Sequence, residues 1–179
     1  AKIQTHIAKI EINKIKKNLI DIHYSSSVGD KDLSAKAWEQ HGFGIFTDSL
    51  SKKLVLKEAD VVVHSYKDLP VKNLNKTSFV CLKRDDPRDI ILIKRSSLNK
   101  KKLVIGTSSP RRKYYLKKLK EFLPFQELKS IQIRGNVPSR LEKVLNSSKE
   151  DGLFIAKAAI DRILKYGQKI DKKEYKNFR

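Results

Sequence analysis

Short runs made wholly of apolar residues recur along this chain, separated by amphipathic or capped segments, and this alternation constrains the fold more than any other feature. Val61-Val62-Val63, Ile90–Ile93, Leu103-Val104-Ile105 and Leu153-Phe154-Ile155 are far shorter than the ~20 residues of a membrane span. Continuous runs of this kind suit strands covered on both faces. Two further strands are expected at 19–25, where Ile20, Ile22 and Tyr24 alternate before the turn Ser25-Ser26-Ser27-Val28-Gly29-Asp30, and at Ile131-Gln132-Ile133. Between them, Ile3, Ile7 and Ile10 place the start of the chain within an amphipathic helix, and Phe46, Leu50 and Leu54 mark a second. Ser109-Pro110 supplies an N-cap with proline at the first helical position, and helices are expected at 138–145 and 158–164. Strand and helix in alternation predict an α/β fold with mainly parallel sheets. The charged stretch Lys83-Arg84-Asp85-Asp86-Pro87-Arg88-Asp89 separates the halves and is the expected hinge.

Charge narrows the partners. Forty Lys+Arg against 20 Asp+Glu give a formal charge of +20, which suits nucleic acid, an anionic membrane face or small polyanions. Thirty-one of the basic residues are lysines spread through almost every segment, the pattern of a solvated surface. The nine arginines are different: Arg111, Arg112, Arg134 and Arg140 fall in two short motifs, and a planar guanidinium fork suits bidentate capture of carboxylate or phosphate. The single cysteine, Cys81, can form neither an internal disulfide nor a CxxC metal site. The four histidines lack ligand spacing, so no metal is expected. No signal-peptide order is visible at the N-terminus, and a cytoplasmic protein without a membrane partner is expected.

Three motifs stand where strands give way to helices, the place where open α/β sheets bind ligands. His64-Ser65-Tyr66-Lys67-Asp68-Leu69-Pro70 gathers a hydroxyl, an ammonium and a carboxylate; read alone it is equally an ordinary polar turn with a Lys/Asp pair. Gly106-Thr107-Ser108-Ser109-Pro110-Arg111-Arg112 combines a tight strand exit, small hydroxyl residues and two arginines in a first helical turn. Cations oppose the helix dipole there, so stability alone does not explain them. Arg134-Gly135-Asn136-Val137-Pro138-Ser139-Arg140-Leu141 repeats the theme, although Arg140 alone also suits a helix-surface pair with Glu142 or Asp60. Jointly the three describe a cleft for a ligand with several negative charges beside one carboxylate.

These motifs, together with Arg84-x-Asp86-Pro87-Arg88-Asp89 and Asp151-Gly152-Leu153-Phe154-Ile155-Ala156-Lys157-Ala158, closely resemble in order and interval the porphobilinogen deaminase (hydroxymethylbilane synthase) family, from Ala1 to near Arg179. The resemblance implies two domains like those of type II periplasmic binding proteins, with mainly parallel sheets and helices on both faces, over 1–84 and 89–179, joined by a hinge at about 82–89. It implies a monomeric transferase of tetrapyrrole (haem) biosynthesis that condenses four porphobilinogen molecules head to tail into hydroxymethylbilane, releasing ammonia each time. Its partners are porphobilinogen and the growing polypyrrole chain, its cofactor a dipyrromethane primer. Asp68 matches the catalytic aspartate; Lys67, Arg111, Arg112, Arg134 and Arg140 match the residues that grip the carboxylate arms, helped by Ser65, Thr107, Ser108, Ser109 and Asn136, with Ala158 among the binding residues.

Departures from the family pattern carry expectations of their own. The first strand with its Thr-Arg-x-Ser motif, the segment that returns to complete the first domain, and the third domain with the cofactor cysteine do not appear in these 179 residues, which are therefore expected to be a fragment unable to sustain turnover alone. Cys81 is expected to be a small core residue in the strand before the hinge, not the cofactor cysteine. Phe43 stands where many relatives have lysine, and Ala159 replaces a usual glycine. Two other classes compete. A non-catalytic small-polyanion module would keep the arginines without needing Asp68. A nucleic-acid binder would use the charge, but the chain lacks aromatic interleaving, a recognition helix or an RNP motif.

Overall fold

A run of apolar residues becomes a strand only where another strand accepts its hydrogen bonds, and the two parts of this chain differ in that respect. The structure, a computed structural model, describes residues 2–17, 19–25, 47–69 and 77–175. It divides into two compact units, Ala1–Arg84 and Asp85–Arg179.

In the second unit four strands form one sheet: β1 (Asp89–Ile93), β2 (Lys102–Gly106), β3 (Glu127–Ile131) and β4 (Gly152–Ala156), in the spatial order β1-β4-β2-β3. β2 runs parallel to both β3 and β4, and β1 closes the far edge antiparallel to β4, with Asp89 opposite Ala156 and Ile93 opposite Gly152. The fold is thus mixed α/β with a mostly parallel sheet. Two-residue periodicity sorts the side chains. Leu103, Ile105 and Phe154 pack on one face with Leu116 of the helix Pro110–Leu119, joined by Ile91 and Ile93. Leu153 and Ile155 pack on the other with Ile133 and Val144, joined by Ile90, Leu92 and Ile160. Val144 belongs to the helix Val137–Asn146, and Ile160 to Lys157–Arg162. The uniformly apolar runs of this unit are therefore two-sided strands, as expected.

Two residues at the head of β4 lock this sheet. Asp151, 4% exposed, accepts from Ser97 Oγ and Lys100 Nζ at 2.7 Å each and from the Val104 backbone N–H at 2.9 Å. Burial alone would raise its pKa, but these hydrogen bonds outweigh that cost and hold the carboxyl below its ordinary value. Gly152 lies so close to β1 that an added Cβ would meet the Leu92 carbonyl oxygen at 2.3 Å and Ile105 Cδ1 at 3.0 Å. A backbone oxygen paired in a sheet cannot swing aside as a side chain can. Gly152→Ala is expected to destabilise the second unit by about 2–3 kcal/mol, seen as a lowered melting temperature.

The third strand departs from expectation. It covers Glu127–Ile131 rather than 131–133, because Gln126 and Glu127 both donate to the Lys101 carbonyl and so set Lys102 opposite Glu127. Its charged residues hide it from a search for apolar runs; β3 is an edge strand, and edge strands carry charge that discourages further pairing. The helix expected at 158–164 also differs: it covers Lys157–Arg162 and continues as a π-helical turn, Ile163–Gly167.

In the first unit the described elements are the helices Lys2–Ile15 and Asp48–Val55 and a 3₁₀ turn, Tyr66–Asp68. Both expected helices are present; Phe46, the turn after Ser25, Pro70 and Phe43 lie outside the described residues. The strands expected at 19–25 and 61–63 are not formed, and among the described residues of this unit no ladder is present. Val61 is 62% exposed. Cys81 is likewise exposed in a segment without strand structure, so its expected place in a core is corrected. Among the described residues none of these extended segments has a pairing strand to hold it in a ladder.

Candidate functional site

At the C-terminal end of β2, Gly106 passes beneath Ile133, and Thr107 donates its backbone N–H to the Ile131 carbonyl at 2.8 Å. Thr107 is buried, and its hydroxyl accepts from the Ser109 N–H at 3.3 Å. Ser108 Oγ donates to the Ile133 carbonyl, and Ser109 Oγ caps the following helix by accepting from the Arg112 N–H at 3.4 Å. The three hydroxyls thus shape the loop that presents the two arginines.

Arg111 and Arg112 leave the first turn of that helix and share one carboxylate. Asp89 at the head of β1 receives Arg112 Nη2 on one oxygen at 2.8 Å and Arg111 Nη2 on the other at 2.9 Å. Arg112 is largely enclosed, with a side chain 15% exposed, and its Nε is buried without a hydrogen-bond partner; Arg111 is 62% exposed.

The second arginine pair comes from the junction after β3. Gly135, at φ +117°, makes a turn that other residues adopt only with strain, and the Asn136 side chain caps the next helix by accepting from the Ser139 N–H at 2.9 Å. Arg140 turns back to donate Nε to the Gly135 carbonyl at 2.6 Å, in place of the pair with Glu142 or Asp60 that its sequence position also allows. Arg134 faces Gln132, whose amide, oriented to satisfy both groups, accepts from Arg134 Nε and Nη2 at 2.8 and 3.0 Å. Burial pushes the Arg140 pKa down, and the charges of Arg112 and Arg134 add to that shift. Arg112, Arg134 and Arg140 are therefore brought into one electrostatic neighbourhood, linked to Arg111 through Asp89. Ala158, half-buried, lies in the first turn of the helix after β4, and Ala159 beside it is half-buried as well.

The Arg-x-Asp-Pro-Arg-Asp stretch contributes more than connection. Asp85 accepts from Arg162 Nε at 2.7 Å, Arg88 forms a bidentate pair with Asp86, and the Lys157 N–H donates to the Arg88 carbonyl at 2.9 Å. The Arg88 hydrogen bonds hold the Asp86 carboxyl well below the usual carboxylate range. Residues 85–89 are thereby fastened to the second unit. Sequence reasoning missed Asp89 and Gln132 as arginine partners; the signal available was the acidic residue that closes this motif.

Within the first unit, the turn Tyr66–Asp68 gathers the other candidates. The Asp68 N–H donates to the Ser65 carbonyl at 2.9 Å, and the Asp68 carboxylate, about one quarter exposed, pairs with Lys67 Nζ at 2.7 Å. Ser65 Oγ donates to Gln4 Oε1 at 3.0 Å, tying the turn to the first helix. His64 Nε2 is buried without a partner; burial lowers the His64 pKa, and the Asp68 charge opposes that shift. The turn presents an accessible carboxylate with a neighbouring ammonium, a pair able to accept N–H hydrogen bonds and to stabilise a developing cation.

Comparisons with known proteins identify the family. Residues 1–177 match the family profile described as porphobilinogen deaminase, dipyromethane cofactor binding domain. A probable porphobilinogen deaminase of Picrophilus torridus is 42% identical over 142 residues, covering 77% of this chain and 48% of the relative. The porphobilinogen deaminase of a Synechococcus species is 36% identical over 179 residues, covering 96% of this chain and 54% of the relative. The chain thus spans about half the length of these curated relatives. Among the described residues no helix is long and apolar enough to cross a membrane. With nearly the whole chain inside the profile, the chain belongs to the porphobilinogen deaminase family.

Proposed function

We propose that this chain serves the stepwise head-to-tail condensation of four porphobilinogen molecules into hydroxymethylbilane, with loss of ammonia at each step. The observation that carries the proposal is the arginine neighbourhood of the second unit, where like charges are held together partly buried. Such clustering costs stability and is offset when an anion with several carboxylates binds. The acetate and propionate arms of pyrroles have that chemistry.

In this reading Arg111, Arg112, Arg134 and Arg140 hold the arms, and Asn136, Thr107, Ser108 and Ser109 keep the loops that carry them in shape. The buried, unpartnered Nε of Arg112 and the surplus of guanidinium over carboxylate fit a dipyrromethane cofactor, whose arms the same four arginines would hold. When bound, that group supplies the pyrrole on which the chain is primed. Asp68 accepts hydrogen bonds from the pyrrole N–H groups and stabilises the cationic, azafulvene-like character that develops as ammonia leaves. Lys67, which pairs with Asp68 at 2.7 Å, helps the arginines to grip the arms, and Ala158 borders the pocket. The two units act as the two domains, joined near 82–89, of a monomeric cytoplasmic enzyme without nucleic-acid or membrane partners.

The test is stoichiometric. The encoded protein containing this sequence, supplied with porphobilinogen, should release four ammonia molecules per hydroxymethylbilane; ammonia release without a linear tetrapyrrole would refute the assignment.

A further inference from the structure

Asp89 stands where a ligand carboxylate would stand. We propose that Asp89 is a positioning residue that acts as an internal stand-in for a substrate carboxylate: it keeps Arg112 fixed and yields Arg111 to the incoming ligand. The inference deepens the reading that these arginines receive carboxylates, and it rests on that reading.

Three observations carry it. Asp89 is the first residue of β1, opposite Ala156 of β4, so its backbone is held by the sheet and its carboxylate cannot follow either arginine outward. Its two oxygens are divided, one to each guanidinium, at 2.8 and 2.9 Å. The two pairs are unequal: Asp89 is 13% and Arg112 15% exposed, whereas Arg111 is 62% exposed. The enclosed pair is lasting, since separating it would strand a buried charge. The outer pair is screened by water and is weak, so a second carboxylate can replace Asp89 at Arg111 at little cost. Asp89 therefore competes with the ligand for one arginine while it orients the other.

Competition and scaffolding predict opposite signs. If Asp89 only supported the fold, Asp89→Asn would weaken ligand binding along with stability. As an internal competitor, its neutralisation removes the rival charge while the amide oxygen still accepts from Arg112. Titration of the protein with propionate and, separately, with porphobilinogen should show Asp89→Asn binding both about two- to fivefold more tightly, although the variant melts at a lower temperature. Arg111→Gln, which leaves the Asp89–Arg112 pair intact, should weaken propionate binding at least about fivefold and should abolish the gain when combined with Asp89→Asn. Equal or weaker binding by folded Asp89→Asn overturns the proposal, as does unchanged propionate affinity in Arg111→Gln, the arm that decides the matter should Asp89→Asn fail to fold. Propionate binding that follows this pattern without any binding of porphobilinogen supports the role of Asp89 and removes the proposed function instead.

Discussion

Asp68→Asn in the encoded protein is expected to lower the rate of hydroxymethylbilane formation by about 10²–10⁴-fold. The exchange keeps the size of the side chain and one oxygen able to accept, but it removes the negative charge that balances a cation as ammonia departs. The Asp68 N–H bond to the Ser65 carbonyl is backbone and survives, so the turn Tyr66–Asp68 keeps its form and the loss falls on rate rather than on folding. Lys67, deprived of its 2.7 Å partner, remains largely in solvent, which limits the structural cost further. The expected signature is a collapse of kcat with near-normal binding of porphobilinogen, because in the proposed function the arginines carry most of the grip on the carboxylate arms. A fully active Asp68→Asn enzyme would instead favour a carboxylate-binding module without catalysis.

The second large effect concerns stability. Asp151→Ala is expected to cost the second unit about 3 kcal/mol, because it leaves Ser97 Oγ and the Val104 N–H without this acceptor and removes the 2.7 Å ion pair of Lys100. The same carboxylate makes stability depend on pH. Its folded pKa is depressed, so its contribution is complete above the unfolded carboxylate value of about 3.9 and is lost as pH falls through the lower folded value. Melting temperatures of the wild-type protein should therefore fall as pH drops below about 4. Asp151→Asn should start lower at neutral pH and show a shallower acid decline. Equal melting temperatures at neutral pH would show that the lock contributes nothing.

How much of this could be read beforehand depends on how local each feature is. β1, β2 and β4 were legible because their apolar runs are bounded by turn signals and are buried on both faces, and the helix starts at Ser109 and Asn136 because caps are written in two or three adjacent residues. β3 was placed four residues late, since its position is set by hydrogen bonds to Lys101, some 25 residues earlier, and its charged residues interrupt any apolar run. In the first unit the triple valine has strand propensity but no ladder among the described residues, and Cys81 is exposed for the same reason. The arginines could be singled out because Arg111 and Arg112 occupy a helix start that disfavours cations. Asp89 could not be, because nothing local announces a pairing across more than 20 residues.

The central claim is that the four arginines of the second unit receive the carboxylate arms of pyrroles. Calorimetric titration of the protein with porphobilinogen and with its dimethyl ester tests this most directly, because the ester keeps the ring, the aminomethyl group and the shape while removing both negative charges. The account predicts measurable binding of the diacid, weakened by added salt and by Arg134→Gln or Arg140→Gln, and loss of most of that affinity for the ester. Equal affinity for acid and ester, unaffected by the arginine substitutions, would contradict it.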